Sequence, residues 1–150
     1  MREGSTMNQQ EYPYAVDCAW IASDGQGFVG VFITAGEGSV PAQALRGDFF
    51  PVEEVEARVL RLSIRPGQAV TNLCDAPDPG SYIALAQRGV FVYDWTDFTS
   101  IEGPLNAYEL VARPLLPITC ADLPNDLREV AQAVRFADVR FADSSLVAVK

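Results

Sequence analysis

The sequence predicts an α+β domain, with a mainly antiparallel sheet of five to six strands and two main helices in the order β-β-α-β-β-β-α-β. Three observations lead there. Two β-rich runs flank an Asp-Gly turn near the N-terminus. Two well-separated stretches carry a helical apolar stripe. Helices do not follow each strand, as a parallel doubly wound sheet requires. The chain has 150 residues, the length of one ordinary domain, and can bury roughly 70% of its unfolded surface without staples. Residues 1–11 are polar and read as a frayed terminus, which leaves 12–150 as a single domain. Nothing before Met7 reads as structural, so Met7 stands beside Met1 as a possible start.

The elements follow in chain order. Residues 16–22 (VDCAWIA) and 28–34 (FVGVFIT) are rich in β-formers. Asp24-Gly25 between them is a hairpin signal, because Asp tolerates the left-handed region and Gly has no Cβ to clash. A loop over residues 35–41 leads to a short helical stretch at 41–45, with Pro41 near its first turn. Residues 52–62 read as a helix, with Val52, Val55, Val59 and Leu62 on one stripe. Glu54 and Arg58 sit at i,i+4 in the favourable order, and Glu53, Glu54 and Glu56 suit the positive end of the dipole. Residues 72–80 (NLCDAPDPG) form a turn-rich connection. Residues 82–87 and 90–95 are read as two strands joined by a tight turn at Arg88-Gly89. Residues 107–113 alternate, with Tyr108, Leu110 and Ala112 on one face and Glu109, Val111 and Arg113 on the other. Leu123, Leu127, Val130, Ala131 and Val134 make the stripe of a second helix over 123–134, capped by Asp122. The tail from 139 to 149 is read as one or two strands.

One repeat interrupts this order. Residues 134–138 and 139–143 both spell VRFAD. An odd period reverses the face of a strand, so Phe136 and Phe141 can both face inward only if the chain bends between them. The bend is expected near Ala137-Asp138. Two copies are too few for a solenoid.

Composition bounds the chemistry. Eleven Lys+Arg stand against twenty Asp+Glu, a formal net charge of −9, and there is no histidine. Ser-His-Asp and Cys-His catalysis and histidine-ligated metals are therefore excluded. An acidic field repels nucleic-acid phosphates and anionic lipid, so neither is an expected partner. The apolar run around Val90 is far short of a membrane span, and no charged n-region leads into a long apolar h-region. Cys18, Cys74 and Cys120 form no CxxC pair and read as reduced thiols in a cytoplasmic protein. Cys120 is the best of three poor nucleophile candidates, because it lies near a helix start where a thiolate is favoured. Gly36-Glu37-Gly38-Ser39 departs from phosphate-binding loops: Pro41 interrupts the pattern, no lysine is near, and Glu37 opposes an anion. No cofactor or metal is expected. Phe49-Phe50 before the helix serves as a hydrophobic staple or as an exposed anchor for a partner.

Two stretches carry a resemblance. One runs Trp20-Ile21-Ala22-Ser23-Asp24, Gly27, Phe32-Ile33-Thr34-Ala35-Gly36, Gly38 and Pro41. The other runs Gly89-Val90-Phe91-Val92-Tyr93-Asp94-Trp95 and then Tyr108-Glu109-Leu110-Val111-Ala112. Together they resemble small acidic bacterial proteins of the immunity-like type associated with polymorphic toxins. The matching residues are turn glycines and core aromatics, which speak for fold, and no catalytic residue carries over. The resemblance implies a non-enzymatic binding protein that occludes a basic toxin domain. Its recognition surface is expected in the loop acids Asp24, Glu37, Asp75, Asp78, Asp94, Asp97 and Glu102. Two alternatives stand beside this expectation. One is a hydrolase using paired carboxylates, with Asp94 and Asp97 flanking Trp95. The other is a self-associating regulatory or scaffold domain.

Overall fold

The computed structural model describes residues 9–73, 79–96 and 107–149. The Asp-Gly hairpin forms as expected. Strand β1 (Ala19–Asp24) pairs antiparallel with β2 (Val29–Ile33), Trp20 opposite Phe32 and Ala22 opposite Gly30. The left-handed residue of the turn is Gly27, at φ 84°. Gly25 has a different role: a Cβ there would collide with the Ala137 carbonyl, so glycine is what lets the C-terminal segment approach the turn.

A 3-10 turn at Ala42–Leu45 and another at Val52–Glu54 lead into helix α1 (Val55–Leu60). Val52, Val55 and Val59 are buried as the stripe requires, and Arg58 pairs with Glu54 at 2.7 Å. Beyond it the sequence-based order changes. A short strand β3 (Val70–Asn72) appears where only connection was expected. The expected strand at 82–87 is helix α2 (Gly80–Ala86), entered from Pro79. Its apolar run is short enough to suit either element, and burial of Leu85 and Ala86 against the sheet favours the helix. Arg88-Gly89 is therefore a helix end and no hairpin, with Gly89 left-handed at φ 96°.

Strands β4 (Phe91–Thr96) and β5 (Ala107–Pro114) follow, then a 3-10 turn at Cys120–Asp122 and helix α3 (Asn125–Ala133). Thr119 and Asp122 form a reciprocal capping box on that turn. The chain closes with β6 (Arg135–Phe136), a 3-10 turn at Phe141–Asp143, and β7 (Leu146–Val147).

Among the described residues the strands make one seven-stranded sheet, in the order β3-β5-β4-β2-β1-β6, with β7 pairing β5. It is mixed: β1 runs parallel to β6 and β2 parallel to β4, while the remaining pairs are antiparallel. Four of the six pairings are antiparallel, as expected in the main, and the corrections are the two parallel pairs, seven strands in place of five to six, and three helices in place of two. The parallel β2–β4 pair exists because α1, β3 and α2 intervene and carry the chain back across the sheet. In β5 the register jumps from Ala112 opposite Val92 to Leu110 opposite Tyr93, so Val111 is the extra residue of a bulge. Paired residues share a face, so Ala112 points away from Tyr108 and Leu110, against the simple alternation.

The two faces of the sheet differ in what covers them. Ile21, Val29, Val31 and Val92 line the face under α1, α2 and α3, and Ser23 Oγ donates to the Ala131 carbonyl of α3 at 2.7 Å. Trp20, Phe32, Tyr93 and Tyr108 line the opposite face. Trp20 stacks on Phe32 at 4.2 Å and Phe32 on Tyr93 at 4.8 Å, and Tyr108 meets Trp20 edge-on at 5.4 Å. Trp20 and Tyr108 stand on strands three spacings apart, about 14 Å in a flat sheet. Their contact requires this face to curl and the rings to lean inward. The bend at Ala137-Asp138 falls as expected, and Phe136 and Phe141 both reach Phe32, at 5.9 and 5.8 Å. The expected strand from Val139 is replaced at Phe141 by the 3-10 turn that drives this ring into the core.

Candidate interaction surface

The loop acids separate into buried, exposed and undescribed. Asp24 is 0% exposed, so it belongs to no surface. Its Oδ1 accepts the backbone N–H of Gln26 and Phe28, each at 2.9 Å, and its Oδ2 accepts Phe141 N–H at 2.9 Å. Asp24 therefore closes the hairpin turn and ties it to the C-terminal segment. The exposure on which its place in a recognition surface rested is absent. Glu37 is exposed. Asp94 is half-buried and accepts Tyr82 Oη–H at 3.0 Å. Burial is the main influence on Asp94 and raises its pKa above the ordinary carboxyl value, with the charges of Asp17 and Glu109 adding to the rise. Asp75, Asp78, Asp97 and Glu102 lie outside the described residues, as does Cys74.

Asp94 and Glu37 lie toward the end of the sheet opposite the Asp24 turn. Asp17 stands just before β1 and Asp24 at its end, about 20 Å away at the rise of an extended strand. Around Asp17 the chain carries a feature that sequence reasoning missed. Gln9 and Gln10, within the stretch assigned to the frayed terminus, bond to the body, and Gln9 Nε2 donates to the Ala42 carbonyl at 3.0 Å. Gln10 Nε2 donates to the Arg46 and Phe50 carbonyls, and Gln10 Oε1 accepts Val52 N–H at 2.9 Å. Tyr12 follows, its hydroxyl accepting Val40 N–H at 3.0 Å. Its ring meets that of Tyr14 at 4.6 Å.

Tyr14 is 80% exposed and Val16 44%. Between them Ala15 is left-handed at φ 59°, and Ala35, in the neighbouring loop, at φ 54°. These are the non-glycine residues with positive φ among the described residues. Such backbone costs about 1–3 kcal/mol and persists only where surrounding contacts hold it. Here Asp17 Oδ1 accepts Ala35 N–H at 3.1 Å and joins the two loops. Thr34 Oγ1 accepts the N–H of Cys18 and of Gly36, at 3.1 and 3.2 Å. Gly38 permits close packing of the second loop, since a Cβ there would collide with the Tyr108 phenol. That phenol accepts Trp20 Nε1–H at 3.1 Å and donates to the Ser39 carbonyl at 2.9 Å. The aromatic core thus fixes the loop that carries Glu37.

Glu11, Tyr12, Pro13, Tyr14, Val16 and Glu53 line one open depression of about 230 Å³. Glu11, Asp17 and Glu53 are all exposed. The result is an exposed tyrosine, three residues before Asp17, that shares this depression with the carboxylates of Glu11 and Glu53. The available sequence signal was Tyr12-Pro13-Tyr14, an aromatic pair about a proline in an otherwise polar stretch. Glu53 was legible only as a helix-dipole residue.

The other sequence candidates resolve as structural. Phe49 lies under Arg46 at 4.5 Å and Phe50 under Arg58 at 4.0 Å, both half-buried. Cys120 is buried, and burial raises its thiol pKa, so the thiolate expected near a helix start is disfavoured. Cys18 is raised in the same way. Among the described residues no three Cys, Asp or Glu side chains are grouped to hold a metal ion, and no helix is long and apolar enough to cross a membrane. Comparison of the chain with family models, with curated proteins and with solved structures finds no match in any of the three.

Proposed function

We propose that the chain is a non-enzymatic, cytoplasmic binding protein of the immunity type, which occludes a basic partner protein with the end of the sheet that carries Tyr14. The observation that carries this reading is the 80% exposure of Tyr14, next to Ala15 whose backbone is in the left-handed region. A rigid aromatic anchor loses little conformational freedom on docking, and tyrosine is enriched at interface hot spots. Glu11, Asp17, Glu37 and Glu53 surround or flank it and supply a field of one sign. That field steers a cationic partner and repels anionic ones. The formal net charge of −9 acts in the same direction at long range.

The test is association of the full chain with the cationic products of neighbouring genes, measured at low and high salt. A saturable complex whose affinity falls as salt rises is expected. Absence of salt-dependent association with every cationic protein tested overturns the reading.

A further inference from the structure

The curled sheet has two ends, and both border one cavity. β5 gives one edge to β4, so β3 and β7 share its other edge, β7 beside Tyr108 and Glu109 and β3 beside residues 112–114. Followed from β7, the strands run β7-β5-β4-β2-β1-β6. A cavity of about 610 Å³ is lined by residues 133–139 on the β6 side, by Ala148 and Val149 just after β7, and by Pro41 and Gln43. The strands thus make an almost closed barrel with a slot at its seam. A fully closed barrel has no free edge, whereas this one keeps the edge of β6.

The slot offers a guest two kinds of contact. The first is backbone. Ser23 N–H donates to the Val134 carbonyl at 2.9 Å, and Ser23 is the register partner of Arg135. In a parallel ladder such a residue is bonded through the neighbours of its partner, so the Arg135 N–H and C=O point away from β1, along the free edge. The second is apolar. Phe136, Val139 and Val149 pack against the core and are each part exposed. The exposed Asp138 stands on the rim, while the Arg135 guanidinium donates to the Gly25 carbonyl at 3.3 Å and is drawn toward the hairpin turn. An edge of two residues is a blunt template by itself, and the apolar wall is what gives a guest strand its side-chain contacts.

We propose that this slot takes an extended segment of a partner protein as an added strand, with apolar residues at alternate positions and basic residues between them. The segment pairs with β6 at Arg135, and its apolar side chains meet Phe136, Val139 and Val149. Its basic side chains face solvent near Asp138, in the field of a chain of net charge −9. The slot shares no lining residue with the depression beside Tyr14, so the two surfaces are tested separately.

The probe is a blocked octapeptide of alternating valine and lysine, titrated against the full chain by calorimetry at low and high salt. Saturable binding that persists at high salt is expected. The same peptide N-methylated at alternate amides keeps its charge and loses strand donors, and should bind at least about tenfold more weakly. Ala148→Trp, a change at an exposed position, should fill the slot and abolish binding at an unchanged melting temperature. Arg135→Pro removes the outward N–H and leaves the Val134 and Phe136 bonds to β1. Val134 is already outside the helical region, at φ −109° and ψ 86°, as a residue before proline must be. This variant should weaken the peptide about tenfold, while Arg135→Ala should bind as the parent does. Where Arg135→Pro lowers the melting temperature, Ala148→Trp decides. The proposal is overturned if the peptide does not bind saturably at millimolar concentration, if the N-methylated peptide binds equally well, or if Ala148→Trp binds as the parent does. Dimerisation of the chain that Ala148→Trp abolishes would assign the slot to a second copy and overturn it as well.

Discussion

Replacing Asp24 by alanine should cost the fold more than any other single loop acid. The carboxylate accepts three backbone N–H groups, those of Gln26, Phe28 and Phe141. Alanine would leave all three without an acceptor. The Phe141 group is buried and the other two partly buried. An orphaned buried donor costs about 1–3 kcal/mol, so the sum is about 4 kcal/mol, a large part of the 5–15 kcal/mol that holds a typical domain. Asp24→Asn keeps the shape and one acceptor oxygen but turns an amide donor toward a backbone donor, so about 2 kcal/mol is expected. Urea denaturation followed by tryptophan fluorescence measures both. With a slope near 2 kcal/mol/M the alanine variant should lose roughly 2 M in midpoint, at unchanged slope. An alanine variant within about 1 kcal/mol of the parent would refute the assignment of Asp24 as a structural tie.

Other outcomes follow from the same contacts. Trp20→Phe removes the indole donor to Tyr108 Oη and should cost about 1–2 kcal/mol, read by the same denaturation assay. Gly89→Ala places a Cβ against Ile118 at φ 96° and should lower stability by at least about 2 kcal/mol, with a lower melting temperature. Asp94 has its folded-state pKa raised, chiefly by burial, so its ionised form costs stability above that pKa and the cost is gone below the unfolded value. Asp94→Asn should therefore stabilise the protein near neutral pH, by an increment that shrinks as pH falls through the carboxyl range. Arg58→Ala removes the pairs with Glu54 and with Asp126 of α3 and the cover over Phe50, and should loosen α1 against α3, seen as a small fall in melting temperature that high salt diminishes.

The parts of the fold legible in the sequence were those with strong local signals. The Asp24-Gly25 hairpin, the valine stripe before Leu60, the alternation of Tyr108, Glu109 and Leu110 at the start of β5 and the stripe of α3 each follow from periodicity and turn chemistry. Residues 82–87 were misread because a short apolar run suits either element, and only packing against β4 and β5 decides it. Strand β3 has three residues, and β6 and β7 two each. Segments that short are defined by their partners, so no local pattern announces them. The bulge at Val111 is likewise a property of the β4 pairing. At the candidate surface, charge was visible and placement was not. Asp24 and Glu37 are both acids in glycine-rich turns, yet one is buried under Phe141 and the other faces solvent. Tyr14 was passed over because an aromatic residue near a polar terminus carries no periodic signal. What marks it is the left-handed backbone at Ala15 and its bonding through Asp17 to the second loop.

The most direct test of the docking surface is the dissociation constant of the complex with a basic partner, measured for the parent and for Tyr14→Ala across a range of salt. Truncation of an exposed side chain should leave the melting temperature unchanged, so the comparison reports docking alone. Loss of an aromatic anchor is expected to weaken the complex by about tenfold or more, while the slope of affinity against salt, set by the carboxylates, stays as in the parent. Equal affinities for parent and variant at every salt concentration would contradict the assignment of this end of the sheet as the docking surface.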